Sequence, residues 1–266
     1  MTQFTAEHSP FWLAPSPVEF PPTEFALVEP DGLLAIGGSL TAEWLLTAYR
    51  NGIFPWFNPD DPILWWTPNP RSVLPIKQLK VSRSLRKRWK DKVLTGAWQI
   101  KLDTAFSKTM AHCANIERKG QDGTWICTQM LHSYTELHAK GHAHSVEVWE
   151  DEQLIGGLYG ICIGKMFYGE SMFAKQPDAS KIALTALCLQ LDIWGFEMVD
   201  TQVETEHLNI LGATLIDREE FETNLKKLIQ IPFPAKTWQF DIDWQDSLND
   251  FLKRQKLNNN QPPPLI

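Results

Sequence analysis

Apolar and polar residues alternate with a period of two along residues 196–204. Such alternation is typical of a β-strand, because successive side chains of a strand point to opposite faces of the sheet. It predicts that Asp200 and Gln202 share one face of the strand and that Thr201 lies on the other. An acid and an amide are thereby brought close enough to bind each other or a common ligand.

Two interpretations of this acid and amide follow from the pattern. Asp200 could orient the side-chain amide of Gln202, whose oxygen could then accept a proton from an amine. Alternatively, both side chains belong to the solvent face of an ordinary antiparallel sheet, since one face of such a sheet is often wet. The alternation alone does not decide between these interpretations.

Apolar residues recur with the spacing of amphipathic helices in four stretches: 41–52, 81–90, 128–141 and 180–195. Thr41, Ser82 and Ser180 stand at the positions of N-capping residues in three of these stretches. Three stretches end at glycines that suit the position after a helix: Gly52, Gly141 and Gly195. The apolar stripe of the last helix is expected to face the core.

Three strand-like runs separate the last two helices, at residues 145–149, 154–163 and 165–168. A polar turn at 150–153 joins the first two into a hairpin. The order helix, antiparallel meander, helix, strand predicts an α+β fold with a mostly antiparallel sheet. Pro and Trp crowd the first 75 residues, which are expected to be mostly irregular, and the polar stretch 258–264 is expected to be disordered.

The composition is that of a globular protein, with 43% hydrophobic and 21% charged residues in a chain of 266. The sequence contains no run of 18 apolar residues and no secretory signal at its N-terminus, so no membrane association is expected. Its four cysteines are widely spaced: Cys113, Cys127, Cys162 and Cys188. This spacing is typical of the free thiols of a cytoplasmic protein.

Positive charge is concentrated in one segment of an acidic chain. Residues 71–92 hold nine basic residues and one acid, a net +8, whereas the whole chain carries −7 and the remainder therefore −15. Within this segment Leu85 and Trp89 are spaced to face the core of a helix, which leaves four basic residues exposed: Arg83, Arg86, Lys87 and Lys90. Phosphate binding and a merely solvated helix face are the two interpretations.

Several familiar motifs are missing. The glycines at 156–164 lie within predicted strands and do not match a dinucleotide fingerprint or a P-loop. Glycines in strands more often mark a bulge or a close approach of backbone. The sequence has no G-x-S-x-G motif, and three histidines near residue 140 lack the pattern of a zinc site: His138, His142 and His144.

A series of longer motifs follows in order along the chain: GLLAIGGSL at 32–40, AYRNGIFPWF at 48–57, PILWWxPxPR at 62–71, GTWI at 123–126, GHAHSVEVW at 141–149, GESMF at 169–173, ASK at 179–181 and DxQ at 200–202. From about residue 17 to about residue 230, this series closely resembles the bacterial leucyl/phenylalanyl-tRNA–protein transferases. The resemblance implies a small N-terminal domain (1–70), a catalytic domain similar to the GNAT acyltransferases (71–235) and a C-terminal extension (236–266).

The resemblance also implies a reaction. Such enzymes transfer Leu or Phe, and less often Met, from aminoacyl-tRNA to the α-amino group of proteins that begin with Arg or Lys, which creates a degradation signal. No metal or organic cofactor is expected, and the partners are charged tRNA and protein. By motif position, Asp200 and Gln202 resemble the family's catalytic pair and Glu170 its acceptor-binding acid.

The remaining implied site residues are assigned in the same way. Trp56 and Trp125 resemble tryptophans near the terminal adenosine of the tRNA. Six apolar residues are candidates for the donor side-chain pocket: Leu158, Phe167, Met172, Leu184, Leu191 and Val199. The four basic residues of the 81–90 helix are assigned to tRNA phosphates.

The chain departs from the family pattern at Thr201, where a small residue is expected, and at Ile210, where a small or polar residue is expected, and it matches poorly over 101–121. Two other functions account for part of the sequence. An acyl-CoA-dependent acetyltransferase of the GNAT type would need a glycine-rich pyrophosphate loop, which residues 176–180 do not supply. A noncatalytic RNA-binding module would explain the basic helix but not Glu170 or the strand that carries Asp200 and Gln202.

Overall fold

Two β-sheets organise the chain in this computed structural model, which describes residues 9–115, 126–233 and 238–259. The strands of the first sheet are β1 (Phe11–Leu13), β2 (Leu33–Gly37), β3 (Phe54–Pro55) and β4 (Leu64–Trp66). Those of the second are β5 (Arg71–Pro75), β6 (Trp98–Leu102), β7 (Ala143–Glu150), β8 (Gln153–Ile163), β9 (Met166–Ala174), β10 (Met198–Gln202) and β11 (Thr214–Ile216). The helices are α1 (Ala42–Arg50), α2 (Arg83–Arg88), α3 (Phe106–Ala114), α4 (Thr128–Ala139), α5 (Ala179–Ile193), α6 (Glu206–Leu211), α7 (Arg218–Leu228) and α8 (Trp244–Asn259).

The N-terminal region is mostly irregular, as predicted, but its short strands form a sheet. Their order is β1-β2-β4-β3, with α1 packed beside them. The alternation of residues did not predict these strands, because they are only two to five residues long. Aromatic packing does support the sheet, since Trp44 and Trp65 stack at 6.0 Å and Phe20 meets both edge-on.

The second sheet has the order β11-β5-β10-β9-β8-β7-β6. Every pairing in it is antiparallel except that of β9 with β10. The predicted α+β class with a mostly antiparallel sheet is therefore confirmed, and the predicted meander is β7, β8 and β9. The third strand runs on to Ala174, well past its predicted end at 168, and so carries Glu170. The register slips beside Gly160, where a Cβ would overlap the Tyr168 carbonyl oxygen.

The predicted helices are all present, with one difference in capping. Thr41 and Ser82 accept hydrogen bonds from the backbone N–H groups of Trp44 and Leu85, as expected of N-caps. Helix α5, however, begins at Ala179 rather than after Ser180, and Asp178 occupies the N-cap position. The serine is buried in the first turn instead.

Helix α5 lies across one face of the second sheet and is buried along most of its length. Its side chains pack with Leu158 of β8, whereas α3 and α4 pack with Tyr159 on the opposite face. Since neighbouring residues of a strand face opposite ways, both faces of β8 are covered. The sheet is thus held rigidly on both sides.

The two parallel strands β9 and β10 separate partway along their length. They pair only at Val199 with Phe167 and at Asp200 with Tyr168. Beyond these pairs β9 continues beside β8, while β10 ends in a bulge at which Gln202 takes a φ of +65°. The sheet therefore opens next to Gly169, and a gap between two strand ends is a natural place for a ligand.

The C-terminal extension contains helix α8, which packs against α5 and the basic segment. Leu248 and Phe251 of α8 are buried in the core, and Gln255 donates hydrogen bonds to the carbonyl oxygens of Lys77 and Leu79. The part of the predicted disordered stretch that follows Asn259 lies outside the described residues. Across residues 9–115, 126–233 and 238–259, none of the helices has the length and apolar character needed to cross a bilayer.

Candidate active site

A cavity of about 420 Å³ lies where β9 and β10 separate. Its lining comes from β8, β9, β10, α5 and α6, and from the N-terminal sheet through Phe54, Pro55 and Trp56. The two sheets therefore meet at this cavity. One part of its wall is apolar and another carries Glu170 and Gln202, so a ligand would be held by apolar contact at one end and by polar groups at the other.

The apolar part contains most of the predicted donor pocket. Five of the six predicted residues line it: Leu158, Phe167, Met172, Leu184 and Val199. The structure does not bring Leu191 to the cavity, and its side chain packs instead in the core between α5 and the sheet. Leu187, one turn earlier on α5, lines the cavity and was not predicted.

Gln202 reaches the cavity by a route that the alternation did not predict. Val199, Thr201 and Gln202 all line the cavity, whereas Asp200 does not. The prediction that Asp200 and Gln202 share a strand face is therefore wrong. The bulge and the left-handed backbone conformation at Gln202 break the two-residue period. The solvent-face alternative is wrong as well, since Asp200 is fully buried.

Asp200 forms a buried ion pair behind the cavity. Its two carboxylate oxygens accept hydrogen bonds from Nε and Nη2 of Arg71 at 2.9 and 2.7 Å. Oδ1 also accepts the backbone N–H of Gln202 at 2.9 Å. Asp200 therefore contacts the backbone of Gln202 and not its side-chain amide, which corrects the predicted arrangement.

Glu170 lies within a line of hydrogen bonds that runs from the cavity wall into the core. Its Oε1 accepts from Nε2 of Gln202 at 2.8 Å, and its Oε2 accepts from the Tyr134 hydroxyl at 3.0 Å. The hydroxyl groups of Tyr134 and Tyr49 lie 2.5 Å apart. Burial raises the pKa of Glu170 to about 7, and the Asp200 carboxylate adds to this rise, while the neighbouring hydroxyl and amide donors oppose it. Glu170 can therefore exchange a proton near neutral pH.

Several residues of this site were not predicted from the sequence. Arg71 lies 129 positions from its partner Asp200, and no local pattern marks such a pair. Tyr49 and Tyr134 occupy helix positions that are indistinguishable from ordinary core, and burial raises the pKa of both. His207 lines the rim of the cavity on α6, where burial and the nearby Lys181 lower its pKa.

The predicted phosphate-binding residues lie on α2 and the π-helical turn Trp89–Val93 that follows it. Leu85 and Trp89 face the core as predicted, and the four basic side chains are exposed: Arg83, Arg86, Lys87 and Lys90. We call this segment, residues 82–93 with its four exposed basic side chains, the basic helix. Lys87 pairs with Asp91 at 2.5 Å, whereas the other three have no ion-pair partner within the described part of the chain.

The predicted tryptophans and the histidines lie at different places in the chain. Trp56 lies on the rim of the cavity, 38% exposed, with its ring 5.8 Å from that of Trp66. Trp125 lies outside the described residues. His138 and His144 bind a backbone carbonyl and Asp103 respectively, as expected of ordinary structural histidines. The described residues contain no group of His, Cys, Asp or Glu side chains arranged to hold a metal ion.

The fold and the cavity define the kind of substrate that the protein can bind. An α+β protein whose sheet opens onto an apolar cavity, with a carboxyl group and an amide at the polar end, can hold a substrate that is apolar at one end and polar at the other. A family model described as leucyl/phenylalanyl-tRNA protein transferase matches residues 73–226, and the model of its N-terminal domain matches residues 38–69. The chain belongs to the leucyl/phenylalanyl-tRNA–protein transferase family, and it is an aminoacyltransferase, which excludes the noncatalytic alternative.

Individual relatives support this assignment. The chain is 63% identical over 251 residues to a leucyl/phenylalanyl-tRNA–protein transferase of Hydrogenovibrio crunogenus, which covers 94% of this chain and 96% of that protein. It is 51% identical over 222 residues to one of Thiobacillus denitrificans, with 84% and 95% covered. A solved GCN5-related N-acetyltransferase-like protein from Streptococcus suis is similar over 66% of this chain and 64% of its own, but its 14% identity and TM-score of 0.29 are too low to bear on the reaction.

Proposed function

We propose that this chain transfers Leu or Phe, and less readily Met, from aminoacyl-tRNA to the α-amino group of proteins with N-terminal Arg or Lys, and thereby marks them for degradation. One observation carries the proposal: the apolar cavity ends at the hydrogen-bonded pair of Glu170 and Gln202. The donor's side chain and the acceptor's amine can thus meet at one point. The four cysteines form no disulfide among the described residues, which is consistent with a reaction in the cytoplasm.

The donor side chain occupies the apolar end of the cavity. Leu158 and Met172 are register partners on adjacent strands, and Leu184 lies on the helix that covers them. These side chains offer dispersion contacts but no hydrogen-bond partner, so they favour an apolar aminoacyl group over a polar one. Met172 is flexible and unbranched, which suits a pocket that accepts side chains of different shapes.

The acceptor amine lies beside Gln202 and Glu170. Gln202 donates through Nε2 to Glu170, which leaves its amide oxygen as the group that accepts a hydrogen bond from the amine. The amine nitrogen attacks the ester carbonyl carbon, the bond from that carbon to the adenosine oxygen breaks, and the amine proton ends on this oxygen. Since the ester is already activated, holding the neutral amine in line is the main requirement.

Glu170 also selects the acceptor. It is the one acidic side chain among the described residues that line the cavity. A carboxylate at this point attracts a positively charged N-terminal residue, and the charge-assisted hydrogen bond is stronger than a neutral one. Acceptors that begin with Arg or Lys are therefore favoured over neutral ones.

The tRNA is held at two places outside the apolar pocket. The exposed side chains of the basic helix bind phosphates of the acceptor stem, a contact that releases counterions and falls with rising salt. The exposed ring of Trp56 at the rim offers an aromatic face for the terminal adenosine, and Trp125 is proposed for the same base by its motif position.

A transfer assay tests the proposal. The protein is incubated with tRNA charged with labelled Leu, Phe, Met or Lys and with a peptide that begins with Arg, citrulline or Ala. The expected product is an Arg peptide extended by Leu or Phe, with less from Met and none from Lys. Equal transfer of Lys, or equal use of the citrulline peptide, would contradict the assigned pocket or the assigned acid respectively.

A further inference from the structure

Arg71 lies directly behind the cavity and does not line it. Its side chain is fully buried, with the guanidinium between the rings of Phe54 and Phe221 at 4.8 and 4.6 Å. Its neighbours on both sides are therefore apolar, and its hydrogen bonds lie in the plane of the guanidinium. A buried cation in such surroundings is retained only when every bond it makes is well placed.

The first pair of these bonds controls Asp200. Nε and Nη2 of Arg71 bind the two oxygens of the carboxylate, which cannot rotate while both bonds are present. Oδ1 then accepts the backbone N–H of Gln202. This bond fixes the bulge and the φ of +65°, a conformation that costs a glutamine free energy and persists only where its surroundings hold it.

The third bond reaches the other wall of the cavity. Nη1 of Arg71 donates to the carbonyl oxygen of Gly52 at 2.9 Å. Gly52 has a φ of +73° and directly precedes the segment that brings Phe54 and Trp56 to the cavity. One guanidinium is thus bonded to the strand that carries Gln202 and to the turn that leads to the N-terminal wall.

We propose that Arg71 is a positioning residue for aminoacyl transfer: its planar set of three hydrogen bonds holds Asp200, and through it the amide of Gln202, in register with the N-terminal wall. This inference rests on the proposed function in one respect, namely that the reaction supported by Arg71 is aminoacyl transfer. Asp200 becomes a positioning residue too, because it contacts the backbone of Gln202 behind the cavity.

Lysine cannot replace this arrangement. Its ammonium is a single point of charge and cannot bind both carboxylate oxygens and a carbonyl in one plane. Arg71→Lys therefore keeps the charge beside Asp200 but loses the fixed geometry. A displacement of reacting groups by about 1 Å can lower turnover about a hundredfold.

The first experiment measures steady-state kinetics of Arg71→Lys with Leu-tRNA and an Arg peptide. The folded fraction is determined by circular dichroism at the assay temperature. We expect kcat per folded molecule to fall about a hundredfold. The KM for Leu-tRNA should stay within about twofold, because the basic helix and the apolar pocket are unchanged. An unchanged kcat in the folded protein would overturn the proposal.

Arg218→Lys is the matched control. Arg218 is a half-buried arginine that also donates to a carbonyl of the N-terminal region, that of Thr67, but it has no contact with Asp200. This variant should lower the melting temperature and leave kcat within about twofold of the wild type. If it lowered kcat as much as Arg71→Lys does, general stability would explain both variants and the positioning role would be refuted.

A second variant covers the case in which Arg71→Lys does not fold. In Arg71→Met/Asp200→Leu, apolar side chains replace the whole ion pair, an exchange that folded proteins often tolerate. The backbone N–H of Gln202 then loses its acceptor, so kcat should again fall about a hundredfold. Wild-type kcat in this double variant would refute the proposal.

A structural measurement separates this inference from the proposed function. A crystal structure of either folded variant should show Gln202 outside the left-handed region, or its amide no longer bonded to Glu170. A Gln202 unchanged in both respects would overturn the inference. Because no substrate is needed, this result stands even if the wild type fails to transfer Leu or Phe, a failure that would refute the proposed function alone.

Discussion

The cavity and the basic helix use charge in opposite ways. At and behind the cavity, Arg71, Asp200 and Glu170 are held by short hydrogen bonds, with Arg71 and Asp200 fully buried and Glu170 half-buried. On the basic helix, the charged side chains are exposed, and only Lys87 has an ion-pair partner among the described residues. Buried charges interact strongly and specifically, whereas exposed charges are screened by salt beyond about 8 to 10 Å at physiological ionic strength.

The two regions should respond differently to the loss of a residue. A buried network depends on every member, so the loss of one group leaves another without a partner. An exposed cluster acts through its sum, so the loss of one member is partly covered by the rest. We therefore expect single substitutions to have large effects at the cavity and small effects on the basic helix. We also expect the effects at the cavity to depend on pH, whereas those on the basic helix should depend on salt.

The largest effect is expected from Gln202→Ala. Loss of a group that positions or accepts a proton typically lowers turnover about a hundredfold or more. Binding of charged tRNA should stay close to that of the wild type, since the amide contributes little to the apolar pocket or to phosphate contacts. Single-turnover transfer and filter binding measure the two quantities separately.

A buried glutamine elsewhere provides the control for this variant. Gln190 on α5 exchanges two hydrogen bonds with Asp241 and lies away from the cavity. Gln190→Ala should lower the melting temperature without changing kcat. Near-normal turnover in Gln202→Ala would remove the amide from the mechanism, although not the chain from its family.

The next effect concerns the choice of acceptor. Glu170→Gln removes the charge that attracts a basic N-terminal residue, and a lost charge-assisted hydrogen bond of about 2 kcal/mol corresponds to about thirtyfold in kcat/KM for an Arg peptide. Use of a citrulline peptide should change much less. The preference is measured by competition between the two peptides in one reaction.

Glu147→Gln is the matched control for acceptor choice. Glu147 is buried, but it binds Ser145 and Thr104, which precedes α3, and it does not line the cavity. This variant should affect stability and leave the preference for Arg over citrulline unaltered. If Glu170→Gln kept the full preference, the acidic group that selects the acceptor would have to lie elsewhere.

The contrast between the regions also explains what could be predicted from sequence. The basic helix is local: its cap at Ser82 and its core-facing Leu85 and Trp89 follow from spacing within ten residues, and all were found in place. The α+β class, α1 and the central meander follow from local periodicity in the same way. Such features need no knowledge of distant residues.

The cavity could not be predicted in the same detail, because its geometry depends on distant contacts. The bulge at Gln202 is stabilised by Asp200 and, through it, by Arg71 from a strand far away in sequence. Two-residue alternation assumes extended backbone and so placed Gln202 on the wrong face of the strand. Leu187 and Leu191 lie on the same apolar stripe of α5, and only the packed structure distinguishes the one that reaches the cavity.

A smaller effect is expected from removing three charges of the basic helix together. In Arg83→Ala/Lys87→Ala/Lys90→Ala, the KM for charged tRNA should rise about tenfold at about 50 mM salt and less at about 200 mM. The log–log salt dependence should flatten by roughly 2, since each lost phosphate contact removes roughly 0.7 to 0.9. The preference for Leu should not change, because the apolar pocket sets it.

A minimal donor tests whether this effect belongs to the tRNA. Leucyl-adenosine has no acceptor stem, so the triple variant should use it as well as the wild type does. An equal loss with both donors would mean that the basic helix is structural and that the tRNA contact lies elsewhere. Replacing one Arg of the basic helix by Lys, or one Lys by Arg, should leave the transfer rate unchanged with either donor. A phosphate contact of this kind requires charge more than shape.

The smallest effect is a pH-dependent change in stability at Glu170. Burial raises its pKa from an ordinary 4.5 to about 7, so the folded protein keeps a proton between these values that the unfolded chain has lost. Ionised Glu170 therefore destabilises the fold fully above pH 7, and this cost disappears as the pH falls toward 4.5. Glu170→Gln, which cannot ionise, should raise the melting temperature by about 2 °C or more at pH 8 and by much less at pH 5.

The triple variant of the basic helix should show no such difference between the two pH values. Scanning calorimetry of both proteins measures the two melting temperatures. An equal shift at pH 5 and pH 8 in Glu170→Gln would mean that the carboxyl group is ionised across this range, and that its buried hydrogen bonds outweigh its burial.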